Sequence, residues 1–253
     1  MRRNGRHECP WQGRVAPVMR STELPRNDPA QYDGLADQWW DPAGGFAMLH
    51  WFAASRAEHI PPAEGPGAVL VDLACGGGLM APYAARLGYR HVGVDLGVPG
   101  LELGRARGML PVRGSVLAVP LADGCADVVV AGEILEHVED DVAVLAECAR
   151  LLRPGGTLVL DAIAATRLAR LIAVRLAERI PGGPPPGIHD PALFVDRARL
   201  LAAAHRLGLE LRLVGLRPSV RDVVLWRLGR RAVVRMRQLP TTAVLFAGYG
   251  RKR

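Results

Sequence analysis

The stretch Val71-Asp72-Leu73-Ala74-Cys75-Gly76-Gly77-Gly78 constrains this chain more than any other. Residues 68–73 read as a short buried strand, and residues 76–87 as a turn that opens a helix. Glycine suits such a turn because the backbone must reverse sharply and approach a ligand without a Cβ in the way. Amide groups at the helix N-terminus then face a polar or anionic ligand. About 20 residues later Val92-Gly93-Val94-Asp95 ends a second strand in an acid, the position from which nucleotide-binding α/β folds hydrogen-bond ribose hydroxyls. The turn is not a phosphate loop, since no Lys-Ser/Thr follows, and it is not G-x-G-x-x-G, since Ala74 replaces the first glycine. Strand, turn, helix, strand and acid together predict a nucleoside-type ligand.

The same alternation continues along the chain. Helix is expected over 100–107, strand over 110–113, a valine-rich strand over 127–131, and a helix over 140–152 with Val144, Leu145, Cys148 and Leu151 near the helical period. Arg153-Pro154-Gly155-Gly156 reads as a turn before a strand over 157–163. Helices are also expected over 32–40, 46–59 and 165–179. Asp196 is placed to cap a further helix that ends at Gly208. The last two strands are expected over 209–216 and 242–249. This βαβα order argues for a mostly parallel sheet with helices on both faces. Residues 1–27, rich in Pro, Gly and Arg without periodicity, read as a disordered extension, with Met19 as an alternative start. Residues 28–253 read as one domain with an N-terminal helical cap and a basic C-terminal part.

The four cysteines are scattered without a C-x-x-C pair, which argues against a zinc site or a disulfide framework and for a reducing, cytoplasmic setting. No apolar run is long enough for a membrane span, and the arginine-rich N-terminus lacks the apolar core of a signal peptide. The net charge is +7, carried almost wholly by arginine, with Lys252 the only lysine. From Leu211 to Arg253 the single acid is Asp222, and a segment of one sign attracts phosphates of lipid or nucleic acid.

Residues 72–78 resemble motif I of class I S-adenosylmethionine (SAM) methyltransferases. Asp95 resembles the acid ending their second strand, and Arg153-Pro154-Gly155-Gly156 the turn before their fifth. The resemblance implies a Rossmann-like, seven-stranded sheet whose last strand is antiparallel. The segments Asp37-Gln38-Trp39-Trp40-Asp41, Phe46-Ala47-Met48-Leu49-His50, Gly132-Glu133-Ile134-Leu135-Glu136-His137-Val138 and Gly187-Ile188-His189-Asp190 are similar to the ubiquinone-biosynthesis O-methyltransferases, which methylate polyprenyl catechols and phenols. That similarity spans about 32–194 and fades afterwards. It implies SAM as cofactor, with Arg56 on its carboxylate, Asp72, Ala74, Gly76 and Gly78 forming the turn around it, Asp95 on the ribose and Gly132 near the methionine part. Two departures stand out. Ala74 occupies a position where the family has glycine, which a side chain tolerates only if the backbone there is not left-handed. Ser115 stands where many relatives carry an acid near the adenine.

Glu133, Glu136 and His137 follow the valine strand, at the kind of strand end where open α/β sheets place ligands. Two carboxylates and an imidazole within five residues suit one divalent ion, which would acidify and orient a catechol hydroxyl. The resemblance implies Mg²⁺ there. Imidazole is a poor match for Mg²⁺, and the same residues also suit a helix cap with local arginine pairs, so both readings stand. Without a metal, His137 or His189 is the candidate general base for a phenol. Trp39 and Trp40 are candidates either for a lid or for packing at the domain edge.

The expected activity is therefore O-methylation of a phenolic small molecule such as a polyprenyl quinone precursor. Leu168, Leu171, Ile172, Leu176 and Ile180, interleaved with Arg167, Arg170, Arg175 and Arg179, add an interfacial helix that would make peripheral contact with a membrane. Core packing and a pocket cover are the competing readings. A secondary-metabolite phenol or amine is the alternative acceptor. The basic tail suggests RNA, but the Asn/Asp-Pro-Pro-Tyr/Phe motif of base-amine methylation and an appended RNA-binding module are both missing, so nucleic acid is not the expected partner. A SAM-binding scaffold without turnover is the third reading.

Overall fold

A computed structural model describes residues 25–35, 38–176 and 187–253. Residues 1–24 of the extension expected over 1–27, with its alternative start Met19, Asp37, and the distal part of the 165–179 helix with Arg179 and Ile180 lie outside the described residues.

The core is an eight-stranded sheet in the order β3-β2-β1-β4-β5-β8-β6-β7. β1 (Val69–Leu73), β2 (Arg90–Asp95), β3 (Leu110–Arg113), β4 (Ala126–Gly132) and β5 (Leu152–Ile163) pair in parallel. β8 (Leu245–Lys252) enters antiparallel between β5 and β6 (Leu209–Pro218). The period of two sorts the apolar side chains of the central strands onto two faces. Leu70, Val128, Val130 and Val159 pack with Ala53 and Ala57 of α2 (Ala47–Ala57), Ala84 of α3 (Ala81–Leu87) and Met80, the residue that precedes α3. Val71, Leu73, Val129, Ala131, Leu158 and Leu160 pack on the other face with α5 (Asp141–Leu151) and α7 (Arg197–Arg206). Residues buried on both sides explain why these strands read as continuous valine and leucine runs.

The cap expected at Asp196 and the terminus expected at Gly208 form, and Asp140 and Gly88 act in the same way. Asp140 caps α5 by accepting from the Ala143 N–H at 3.0 Å, and Asp196 caps α7 by accepting from Ala198 and Arg199. Gly88 after α3 and Gly208 after α7 take left-handed φ values of 88° and 74°. α1 (Ala30–Asp33) and α2 precede β1, and α4 (Val98–Arg105) follows β2.

Three expectations of secondary structure change. The helix expected over 32–40 is reduced to α1, which ends at Asp33, and Trp39 and Trp40 lie in a turn. The sheet has eight strands instead of seven, because β7 (Met236–Leu239) adds an edge beside β6 after the helix α8 (Val220–Arg227). No period-two pattern marks this four-residue edge strand, which is held by main-chain pairing with residues 215–218. The helix expected over 165–179 begins as α6 (Arg167–Ala169), capped by the Thr166 hydroxyl, and continues as a π-helix over Arg170–Leu176. Its Ala169 and Ala173 are buried with Ile163 and Phe194, whereas Leu168 and Leu171 are exposed.

Candidate active site

The carboxyl ends of β1, β2 and β4 open onto a cavity of about 380 Å³, within the range of small-molecule sites. Of the residues expected at a cofactor, Arg56, Asp72, Ala74, Asp95, Ser115 and Gly132 line it. Asp95 ends β2. Its Oδ2 accepts from the Gly76 N–H and its Oδ1 from the Gly97 N–H, both at 2.8 Å, which locks the carboxylate at the cavity wall. Burial raises its pKa, and those two amides oppose the rise. The Ser115 hydroxyl accepts from the Leu117 N–H at 3.2 Å.

Gly76 and Gly78 are expected to form the turn around the cofactor, and each is also a point of close packing. Neither lines the cavity. A Cβ on Gly76 would stand 2.2 Å from the Trp39 ring, and one on Gly78 would stand 2.8 Å from the Gly104 Cα of α4. The glycines let an aromatic plate and a neighbouring helix settle on the turn. Trp39 itself is buried, stacks on Phe46 at 4.6 Å and lines the cavity. Trp40 is an edge-packing residue: its Nε1–H donates to the Gly77 carbonyl, and the Arg107 guanidinium lies 4.0 Å over its ring. Ala74 has φ +53°, the left-handed conformation that its side chain resists.

Arg56 is buried on α2 beside Gly132, where a Cβ would stand 2.0 Å from the guanidinium carbon. Its Nε and Nη2 donate to the two oxygens of Asp161 at 2.6 and 2.8 Å. Asp161 also accepts from the Glu133 N–H at 2.9 Å and so ties α2, β5 and the turn after β4 together. The sequence reading passed over Asp161, although a lone acid inside Leu158-Val159-Leu160-Asp161-Ala162-Ile163 signals a buried cation partner.

A second, smaller cavity of about 90 Å³ adjoins the first and shares Tyr32, Leu49, Glu133 and His137 with it. Phe46, Met48, Phe52, Ile163, Ile172 and Leu245 make it apolar, and among the described residues no Arg or Lys lines it. Here the two candidate bases meet: the His137 and His189 rings lie 5.4 Å apart and 28° from parallel. Burial, helped by His189, pushes the His137 pKa down to about 3. The segment expected to be an extension reaches this site. The Asn27 Nδ2–H donates to the His137 carbonyl at 3.0 Å, and the Asn27 Oδ1 stands 2.5 Å from the His137 Nδ1. A carbonyl only accepts, so the amide orientation is fixed. Nδ1 must then carry the hydrogen, and Nε2 keeps its lone pair.

The Glu133, Glu136, His137 metal triad is not assembled. Glu133 and His137 border the cavities, whereas Glu136 is fully buried and lines neither. Among the described residues no three His, Cys, Asp or Glu side chains are grouped to hold an ion. Burial disfavours the ionised form of both carboxyls. Burial and the neighbouring Glu136 raise Glu133 well above the carboxylate range, and burial with the Asp161 charge pushes Glu136 up to about 8.

A family model described as a methyltransferase domain matches residues 71–160. The ubiquinone biosynthesis O-methyltransferase of Sodalis glossinidius is 33% identical over 72% of this chain and 77% of that protein. The protein of the same name from Nitrosococcus oceani is 35% identical over 73% and 82%. The chain belongs to this O-methyltransferase family. Solved structures share the fold: a SAM-dependent methyltransferase from Thermotoga maritima superposes with a TM-score of 0.62 at 18% identity over 88% of this chain and 98% of that one. The geranyl diphosphate C-methyltransferase of Streptomyces coelicolor gives 0.55 at 19% identity, over 82% of each chain.

As a SAM-dependent methyltransferase, the protein fits its cofactor. The larger cavity combines an acid fixed at the end of β2, a glycine approach at Gly132, the Arg56 cation and an aromatic wall at Trp39. An adenosyl group with a cationic sulfur and an amino-acid tail needs these features. The implied Mg²⁺ does not fit the side chains as they stand, and no step below uses it.

Proposed function

We propose that the enzyme transfers a methyl group to the hydroxyl oxygen of an apolar phenol or catechol, such as a polyprenyl quinone precursor. The observation that carries this reading is the apolar cavity that shares His137 and Glu133 with the cofactor cavity. An aromatic ring with a greasy substituent suits walls of Phe, Met, Leu and Ile. A nucleotide or phosphorylated acceptor would want cations, and the described residues of this wall include no Arg or Lys.

When bound, SAM supplies an electrophilic methyl group. The chain's own residues align, exclude water and take a proton. Arg56, Asp95, Ser115 and the Ala74 backbone hold the cofactor, and Tyr32 and Leu49 sit where the two cavities join. The neutral His137 accepts a hydrogen bond from the acceptor hydroxyl through Nε2, with His189 stacked beside it. A free phenol with a pKa of about 10 does not yield its proton to so weak a base. Once the oxygen begins to bond the methyl carbon, its O–H becomes strongly acidic, so proton transfer to His137 comes late. The exposed Leu168 and Leu171 beside Arg167 and Arg170 support peripheral contact with anionic lipid, the source of a polyprenyl acceptor.

The test is methyl transfer from labelled SAM to a short-chain polyprenyl catechol, with EDTA or with Mg²⁺. Turnover indifferent to EDTA is expected. Turnover that EDTA abolishes and Mg²⁺ restores would overturn the metal-free reading. No turnover with SAM binding intact would overturn the acceptor.

A further inference from the structure

α8 carries an apolar stripe that no described part of the chain covers. Val220, Val224 and Leu228 recur every four residues along one face and are 70%, 53% and 61% exposed. The opposite face anchors the helix. Asp222 is fully buried and pairs with Arg231 and Arg235. Trp226 donates its Nε1–H to the Pro42 carbonyl and meets the Trp51 ring edge-on at 5.3 Å. The stripe is therefore held outward by a fixed helix. Arg217, Arg221, Arg227, Arg230 and Arg237 are exposed around it, and the segment's one acid, Asp222, is already neutralised. The cluster beneath α8 contains Phe52 and packs against Leu245, both of which also line the smaller cavity.

We infer that α8 docks the enzyme on an anionic bilayer surface, with Val220, Val224 and Leu228 entering the headgroup boundary and the surrounding arginines on lipid phosphates. A bilayer satisfies both features at once: apolar side chains leave water, and arginines meet phosphates. A second copy of the chain would bring two arginine rings of the same sign face to face. Nucleic acid would neutralise the arginines but leave the aliphatic stripe unmet. The inference extends the lipid contact proposed for α6 but stands on different residues.

The experiment is co-sedimentation of the full chain with phosphatidylglycerol/phosphatidylcholine vesicles and with phosphatidylcholine alone. Binding to the anionic vesicles only, weakened by salt, is expected. The V220S/V224S/L228S variant should lose at least about tenfold in vesicle affinity. R221Q/R227Q/R230Q should lose affinity and most of the salt dependence. Both variants should keep the wild-type melting curve and full turnover of a water-soluble catechol. Wild-type failure to bind, or serine-variant binding equal to wild type, would overturn the inference. Loss of binding in L168S/L171S with the α8 variants unaffected would place the lipid contact on α6 alone and overturn it while sparing the α6 reading. A wild-type dimer in sedimentation that the serine variant dissolves would assign the stripe to a second copy and equally overturn it.

Discussion

Ala74 offers a direct test of how the cofactor turn is built. Its φ of +53° puts an alanine where its Cβ crowds the following carbonyl, at a cost of about 1–2 kcal/mol. Ala74→Gly removes that strain. Glycine also gives the unfolded chain more freedom, which costs roughly 0.5–1 kcal/mol. The partly buried methyl packs against the main core cluster, and its loss takes back a few tenths, by the measure of about 0.8 kcal/mol for a fully buried CH₂. The net is a stabilisation of about 0.5 kcal/mol. The informative comparison is Ala202→Gly on the exposed face of α7, where the backbone is ordinary helix and the same substitution should destabilise by about 1 kcal/mol. Urea unfolding of both variants should thus separate them by about 1.5 kcal/mol, or roughly 3–6 °C in melting temperature for a domain of this size. Equal destabilisation at the two sites would refute the left-handed assignment at Ala74. So would Ala74→Val costing no more than Ala74→Gly, since a β-branched side chain is worse still in that conformation.

Three further outcomes are expected. Glu136 has a folded pKa of about 8 against roughly 4.3 unfolded, so it favours the folded state fully below the lower value and loses that advantage as pH rises to the upper one. Glu136→Gln should therefore leave stability near wild type at pH 4 and raise it by about 2–4 kcal/mol at pH 8 in urea titrations; a loss at pH 8 would mean an ionised carboxylate held by a cation. Asp161→Ala leaves Arg56 buried without its partner and should cost about 3–5 kcal/mol, with weaker binding of S-adenosylhomocysteine by calorimetry; an unchanged denaturation midpoint would show the pair to be dispensable. Asn27→Ala should lower kcat by about 10–100-fold with little change in KM, whereas Asn27→Asp, which still accepts from His137, should retain more activity; the ¹⁵N shifts of His137 report whether its tautomer was released.

The parallel sheet was legible because strands buried on both faces have to be continuous apolar runs, whereas its strand order was not read from the sequence. Turns and caps such as Asp140, Asp196 and Gly208 act through neighbours within a few residues, so their roles are written locally. The cofactor cavity was legible at Asp95 and Gly132 for the same reason: a strand end followed by a turn is a local event. β7 was not, since an edge strand held by main-chain pairing needs no pattern of its own. The jobs of Gly76 and Gly78 could not be read either, because the atoms that forbid a Cβ there belong to Trp39 and Gly104, distant in sequence. Asn27 and His137, like Arg56 and Asp161, lie more than a hundred residues apart along the chain. The sequence alone thus determined the architecture and the strand ends onto which the larger cavity opens, since these follow from periodicity and turn chemistry. Only the tertiary structure decided which nitrogen of His137 keeps its lone pair, where Arg56 is held and why Glu136 does not complete a metal site, because each depends on what burial brings beside a charge.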